Sequence, residues 1–185
     1  MSKEPTIKIA FIDDHDLLRK GICDFLIGYG FEVLFEAENG KSAIDKIALC
    51  EYVPDLCIVD VNMPVMNGFE TTKKLLEIYP QLKILAFSVN DDEMDVIKML
   101  ECGANGYVLK GADPDELKKA VETLFNGGQY FSAGIVEIAQ DCHVLKKVYT
   151  FYINTKIRLQ FKYNPKIDLQ SPFFCNNFSI YNLPF

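Results

Sequence analysis

Five short runs rich in β-branched and aromatic residues, each followed by a stretch with helical spacing, constrain this chain more than any other feature of its sequence. The runs fall at 7–12, 32–37, 55–60, 83–87 and 106–109. Between them, apolar residues recur three and four positions apart: Leu18, Ile22, Phe25 and Leu26, then Phe69, Thr72, Leu75, Leu76 and Tyr79. Ile97, Leu100 and Ala104 continue the pattern, as do Leu117, Val121 and Leu124. Such spacing puts one apolar stripe on each helix. Asp14 or His15 is a candidate to begin the first helix, Asn90 with Glu93 the fourth, and Asp113-Pro114 with Glu116 the fifth. Glycines at 28, 30, 103, 127 and 128 follow the first, fourth and fifth helices.

Runs such as IAFI, LCIV and ILAF are continuously apolar, which is expected of strands buried on both faces. Five βα units with short loops therefore imply an α/β fold with a doubly wound parallel sheet. Right-handed crossovers leave the flavodoxin-like order 2-1-3-4-5 as the natural one for five strands. In that architecture chemistry gathers outside the carboxyl ends of the strands.

The residues at those ends are Asp13 and Asp14 after the first strand, Asp60 after the third, Ser88 after the fourth and Lys110 after the fifth. The first and third strands are neighbours, so three carboxylates are expected in one crevice. Two such charges ~4 Å apart repel by about 1 kcal/mol in water and about 4 kcal/mol at an effective dielectric of 20. A hard divalent cation, Mg²⁺ above all, relieves this. Taken singly, each residue has a plainer reading: a helix N-cap for Asp14 or His15, a turn for Ser88, a solvated surface lysine for Lys110. Their joint arrival at the ends of separate strands favours a site. A phosphatase or nucleotide-binding enzyme on a similar fold would call for a glycine-rich phosphate loop or a D-x-D motif. After the first strand the chain reads Asp-Asp-His-Asp instead.

The segments FIDDHDLLRKGI, IVDVNMPVMNGFE, LAFSVNDD and GANGYVLKGADPDEL resemble the receiver domain of two-component response regulators, in the LuxR/NarL-type branch. The resemblance covers about residues 6–128. The glycine that follows Lys110, where many receivers have proline, fits that branch. The resemblance implies that Asp60 is the phospho-acceptor for a sensor histidine kinase or a small phosphodonor, so that the chain works in phosphorelay signalling and is not an enzyme in its own right. It implies that Asp13, Asp14, Asp60 and the backbone carbonyl of Asn62 hold Mg²⁺. Lys110 then pairs with the phosphoryl group, Ser88 hydrogen-bonds to it, and Ser88 with Tyr107 forms the switch. Asn62 and Asn90 tune dephosphorylation. Tyr107 has a plainer reading as a strand aromatic. Phosphoryl transfer depends on positioning and charge neutralisation, and an adjacent cation is expected to keep the Asp60 carboxyl ionised. Family partners also include a second copy, through the fourth helix, fifth strand and fifth helix or through the first and fifth helices, and DNA for the transcription regulators.

Charge divides the chain. Residues 1–140 carry 24 acidic against 13 basic side chains, or −11, whereas residues 141–185 carry 2 against 6, or +4. The expected organisation is a receiver over 1–128, a linker or helix over 129–145, and a tail over 146–185. The tail is rich in Phe, Tyr and Asn and contains no alanine or glycine. It lacks the amphipathic helices and basic recognition helix of a helix-turn-helix, as a truncated or out-of-frame end would. Basic residues interleaved with aromatics leave nucleic-acid binding through this segment as the alternative. There is no apolar stretch of membrane-spanning length, no signal-like h-region, and no close Cys/His spacing for zinc among six scattered cysteines. A cytoplasmic protein is expected.

Overall fold

The computed structural model describes residues 6–141, all within one compact unit. The tail assigned to 146–185 lies outside the described residues. Five βα units follow one another: β1 (Lys8–Ile12), α1 (Asp16–Gly28), β2 (Glu32–Ala37), α2 (Gly40–Ile47), β3 (Leu56–Asp60), α3 (Gly68–Ile78), β4 (Lys83–Ser88), α4 (Glu93–Glu101), β5 (Gly106–Leu109) and α5 (Pro114–Phe125). A two-residue strand, β6 (Tyr130–Phe131), extends the sheet to the order 2-1-3-4-5-6, with every pairing parallel. The expected order 2-1-3-4-5 is thus present, with one further strand on its edge.

Alternation within each strand divides the core. Ile9 and Phe11 face α1 and α5, packing with Leu26, Leu117, Val121 and Leu124. Ala10 and Ile12 face the other layer, where α2, α3 and α4 contribute Ile47, Leu75, Val96 and Met99. Every residue of β3 is buried, which explains its unbroken apolar run. Cys23 and Cys57 are buried within these layers, and burial pushes the Cys23 thiol up to about 12. No helix among the described residues is long and apolar enough to cross a membrane.

Caps set the helix starts. Asn67 and Glu70 close a reciprocal capping box on α3, and Asn39 accepts from the Ser42 amide on α2. At α5, Asp113 accepts from the Asp115 amide with Pro114 at the first position. His15 occupies the cap position of α1, but its side chain caps nothing. The start of α4 departs from expectation. Asp92, not Asn90, is the cap, accepting from the Met94 and Asp95 amides. Asn90 is committed elsewhere: its amide donates to Ser88 Oγ and its carbonyl accepts from the Tyr107 hydroxyl.

The segment after α5 is built into the sheet. β6 pairs with β5, Tyr107 opposite Phe131, and the Ser132 amide donates to the Tyr107 carbonyl. A 3₁₀ turn (Ala133–Ile135) and a helical stretch over 136–141 follow, and Ile135 and Ala139 are fully buried against the same layer as Tyr107.

Candidate functional site

The parallel register brings the strand-end residues together. Ile12 lies opposite Val59, so Asp13 follows β1 level with Asp60 at the end of β3. Asp60 pairs with Phe87 and Ser88 with Leu109, so Ser88 and Lys110 each sit one step further along the rim. Asp13, Asp60 and Ser88 are buried, and the Lys110 side chain is only 6% exposed.

Lys110 organises the pocket. Its Nζ stands 2.8 Å from Asp13 Oδ2 and 2.9 Å from Asp60 Oδ2. A buried ammonium without such partners would carry a desolvation penalty of several kcal/mol. The remaining oxygens of the two aspartates accept from the chain that follows them. Asp13 Oδ1 takes the His15 amide at 2.9 Å, and Asp60 Oδ1 takes the Asn62 amide at 3.3 Å. Asp14 is more open, yet its Oδ1 is buried, makes no hydrogen bond among the described residues, and lies 3.0 Å from His15 Nδ1.

Asp13, Asp14, His15 and Asp60 each offer one ligand atom, and these atoms lie within 4.8 Å of one another. Three carboxylates against Lys110 leave the pocket with an excess of two negative charges. Their hard oxygens and the orphaned Asp14 Oδ1 fit Mg²⁺. Asn62 reaches the site through its amide, while its side chain and that of Asn90 lie exposed at the rim.

Burial holds the Asp60 carboxyl above the ordinary carboxylate range; Lys110 opposes this and the neighbouring Asp13 charge adds to it. Among the described residues, loss of water outweighs Lys110. Tyr107 is fully buried, its hydroxyl donating to the Asn90 carbonyl at 2.8 Å, and burial raises its phenol as well. Ser88 Oγ accepts from the Asn90 amide at 3.1 Å. The two residues assigned to the switch therefore hold the same loop after β4.

Three further features support the site. Arg19 is nearly buried; its guanidinium donates to the Asp13 carbonyl at 2.6 Å and pairs with Asp16 and Glu36, fixing the turn between β1 and α1. Gly68 approaches β3 so closely that a Cβ there would stand 2.3 Å from the Asp60 carbonyl oxygen. Val65 has φ 69°, with the Met66 amide donating to the Pro64 carbonyl at 2.7 Å, a γ-turn that places a β-branched residue in a costly backbone region.

A concavity of about 490 Å³ lies at the opposite, amino end of the strands, lined by Val53, Pro54, Ile78, Tyr79 and Phe125 among others. None of the strand-end residues lines it.

The family model described as "Response regulator receiver domain" matches residues 9–122. The transcriptional regulatory protein DegU of Brevibacillus brevis is 38% identical over 152 residues, covering 82% of this chain and 61% of DegU. The nitrate/nitrite response regulator NarL of Escherichia coli K12 is 37% identical over 139 residues, covering 75% of this chain and 63% of NarL. The chain thus spans less than two thirds of the length of these curated relatives. Among solved structures, a LuxR-family two-component response regulator from Aurantimonas sp. is 31% identical with a TM-score of 0.68, over 74% of this chain and 98% of that one. The isolated REC domain of RcsB from Salmonella enterica, at 22% identity and a TM-score of 0.66, over 72% of this chain and 99% of that one, shares the fold.

Proposed function

Because this chain belongs to the response regulator receiver family of two-component systems, we propose that it is a phosphorylation switch in which Asp60 accepts a phosphoryl group from the phosphohistidine of a sensor kinase or from a small phosphodonor. The observation that carries the proposal is Lys110 Nζ held between Asp13 and Asp60 at 2.8 and 2.9 Å. A cation so placed already neutralises the carboxylate that would be esterified, and it remains beside the phosphoryl oxygens afterwards.

Asp13, Asp14 and Asp60, with the Asn62 carbonyl, are the residues that would hold Mg²⁺. When bound, the ion supplies the charge neutralisation that this pocket lacks. The chain's own groups do the rest. Asp60 attacks phosphorus, the P–N or P–O bond of the donor breaks, and the product is an aspartyl phosphate. Burial of Asp60 and Lys110 limits water at the reacting carboxylate. In this reading the chain is a substrate that assists its own modification, not a turnover enzyme.

Esterification replaces a single negative charge by roughly −2 and adds acceptor oxygens. Ser88 brings a hydroxyl to the same rim, and releasing its bond to the Asn90 amide frees the loop whose carbonyl holds Tyr107. The change would then reach α4, β5 and the β6 segment. Asn62 and Asn90, exposed at the rim, are placed to tune attack by water. The relatives' names suggest an output in transcription regulation, and we extend that to this chain, together with pairing of two copies through α4–β5–α5 or α1 and α5, DNA binding by the whole protein, and a cytoplasmic location.

Intact mass after incubation with acetyl phosphate and Mg²⁺ tests the acceptor. Wild type should gain the mass of one phosphoryl group and Asp60→Asn should gain none. An unchanged wild-type mass, or equal gain in both, would contradict the assignment.

A further inference from the structure

The acidic pocket also contains a nitrogen donor that the phosphorylation chemistry does not use. His15 Nδ1 lies 3.0 Å from Asp14 Oδ1 and 3.4 Å from Asp13 Oδ1, and both oxygens belong to the cluster that includes Asp60. The side chain is 68% exposed, so packing does not force it inward. It does not cap α1 either. Asp14 Oδ1 is buried with no hydrogen bond, so the short approach of His15 leaves that oxygen unsatisfied. Two ligands bound at about 2.1 Å to one ion stand about 3–4 Å apart, which is the spacing of His15 Nδ1 from these oxygens.

We propose that His15 is a further protein ligand of this cation site and lets it take a borderline divalent transition ion, of the manganese-to-zinc series, in competition with Mg²⁺. The inference rests on the reading of the carboxylate cluster as a cation site. Mg²⁺ prefers oxygen ligands and retained waters and gains little from an imidazole. Cobalt, nickel and zinc gain a preferred donor. The site then responds to which ion is available, with His15 at its open edge as the discriminating group.

Calorimetric titration of the full chain with Co²⁺ and with Mg²⁺ tests this, using wild type, His15→Ala and, as a control for the other histidine, His143→Ala. His15→Ala should lose about tenfold in Co²⁺ affinity and keep its Mg²⁺ affinity, while His143→Ala should match wild type for both. Pulsed electron paramagnetic resonance of the Mn²⁺ complex should show nitrogen coupling in wild type and in His143→Ala, and none in His15→Ala. Nitrogen coupling that persists without His15, or equal loss of affinity for both ions, would overturn the ligand assignment and leave the carboxylate site standing. Wild type that takes up neither ion would overturn the carboxylate site, and the inference with it.

Discussion

At Asp60, two demands of a single residue oppose each other. A nucleophilic carboxylate must be ionised, yet the position that protects an acyl phosphate from water also strips the carboxylate of solvent. Burial dominates and raises the Asp60 carboxyl, with Lys110 opposing. An acid whose folded-state pKa is raised favours folding most when protonated. Its contribution is full below the ordinary carboxylate range and is lost as pH rises through the raised value. Asp60→Asn removes that loss and keeps the Asp13 partner of Lys110. Its thermal midpoint, without divalent ions, should exceed that of wild type by a few degrees at pH 7, and the gap should close as pH falls through the carboxylate range. Melting curves against pH check this; a gap that widens toward acid pH would contradict it. The sequence placed Asp60 at a strand end, but the raising of its carboxyl was not legible there, because burial by neighbouring elements has no local signature in the chain.

At the scale of elements, the strands were legible and their edges were not. β1, β3 and β4 read as continuous apolar runs because helices cover both their faces, and their expected bounds agree with the observed ones to within a residue. β6 spans only Tyr130–Phe131 and has no periodicity to read; its evidence is its partner, β5. The α4 start was misplaced by two residues because Asn90 and Asp92 are both good cap types. What decides between them is that Ser88 at the end of β4 and Tyr107 on β5, both outside the helix, hold Asn90 in the loop.

Ser132 ties the added strand to β5 and α5: its Oγ accepts from the Leu109 amide at 3.1 Å and donates to Glu116 Oε1 at 2.5 Å. Ser132→Ala leaves the partly buried Leu109 amide without its acceptor and should cost about 2 kcal/mol in denaturant titrations. A change near zero would show that β6 is only loosely attached. Gly68 joins α3 to β3 at a point too close for a Cβ beside the Asp60 carbonyl. Gly68→Ala should destabilise by about 1–3 kcal/mol and slow phosphorylation by acetyl phosphate, since the clash is with backbone that cannot swing aside. A variant with wild-type stability and rate would remove Gly68 from the site's framework.

For the molecule as a whole, the site was legible to the extent that topology makes it. Once the strands are parallel and β1 and β3 adjacent, Asp13, Asp60, Ser88 and Lys110 must gather at one rim. Arg19 and His15 became part of the site only through the direction of their side chains, which spacing does not reveal. The charge division near residue 140 separates an acidic receiver from a basic, aromatic tail outside the described residues. The account of function therefore stands on the receiver, and at its centre is the proposed acyl phosphate on Asp60. Borohydride reduces an aspartyl phosphate to homoserine, so peptide mass mapping after treatment with acetyl phosphate, Mg²⁺ and borohydride locates the modified residue directly. Homoserine at position 60 is the predicted result; conversion at Asp13 or Asp14, or at no residue of a folded and metal-bound chain, would contradict the account.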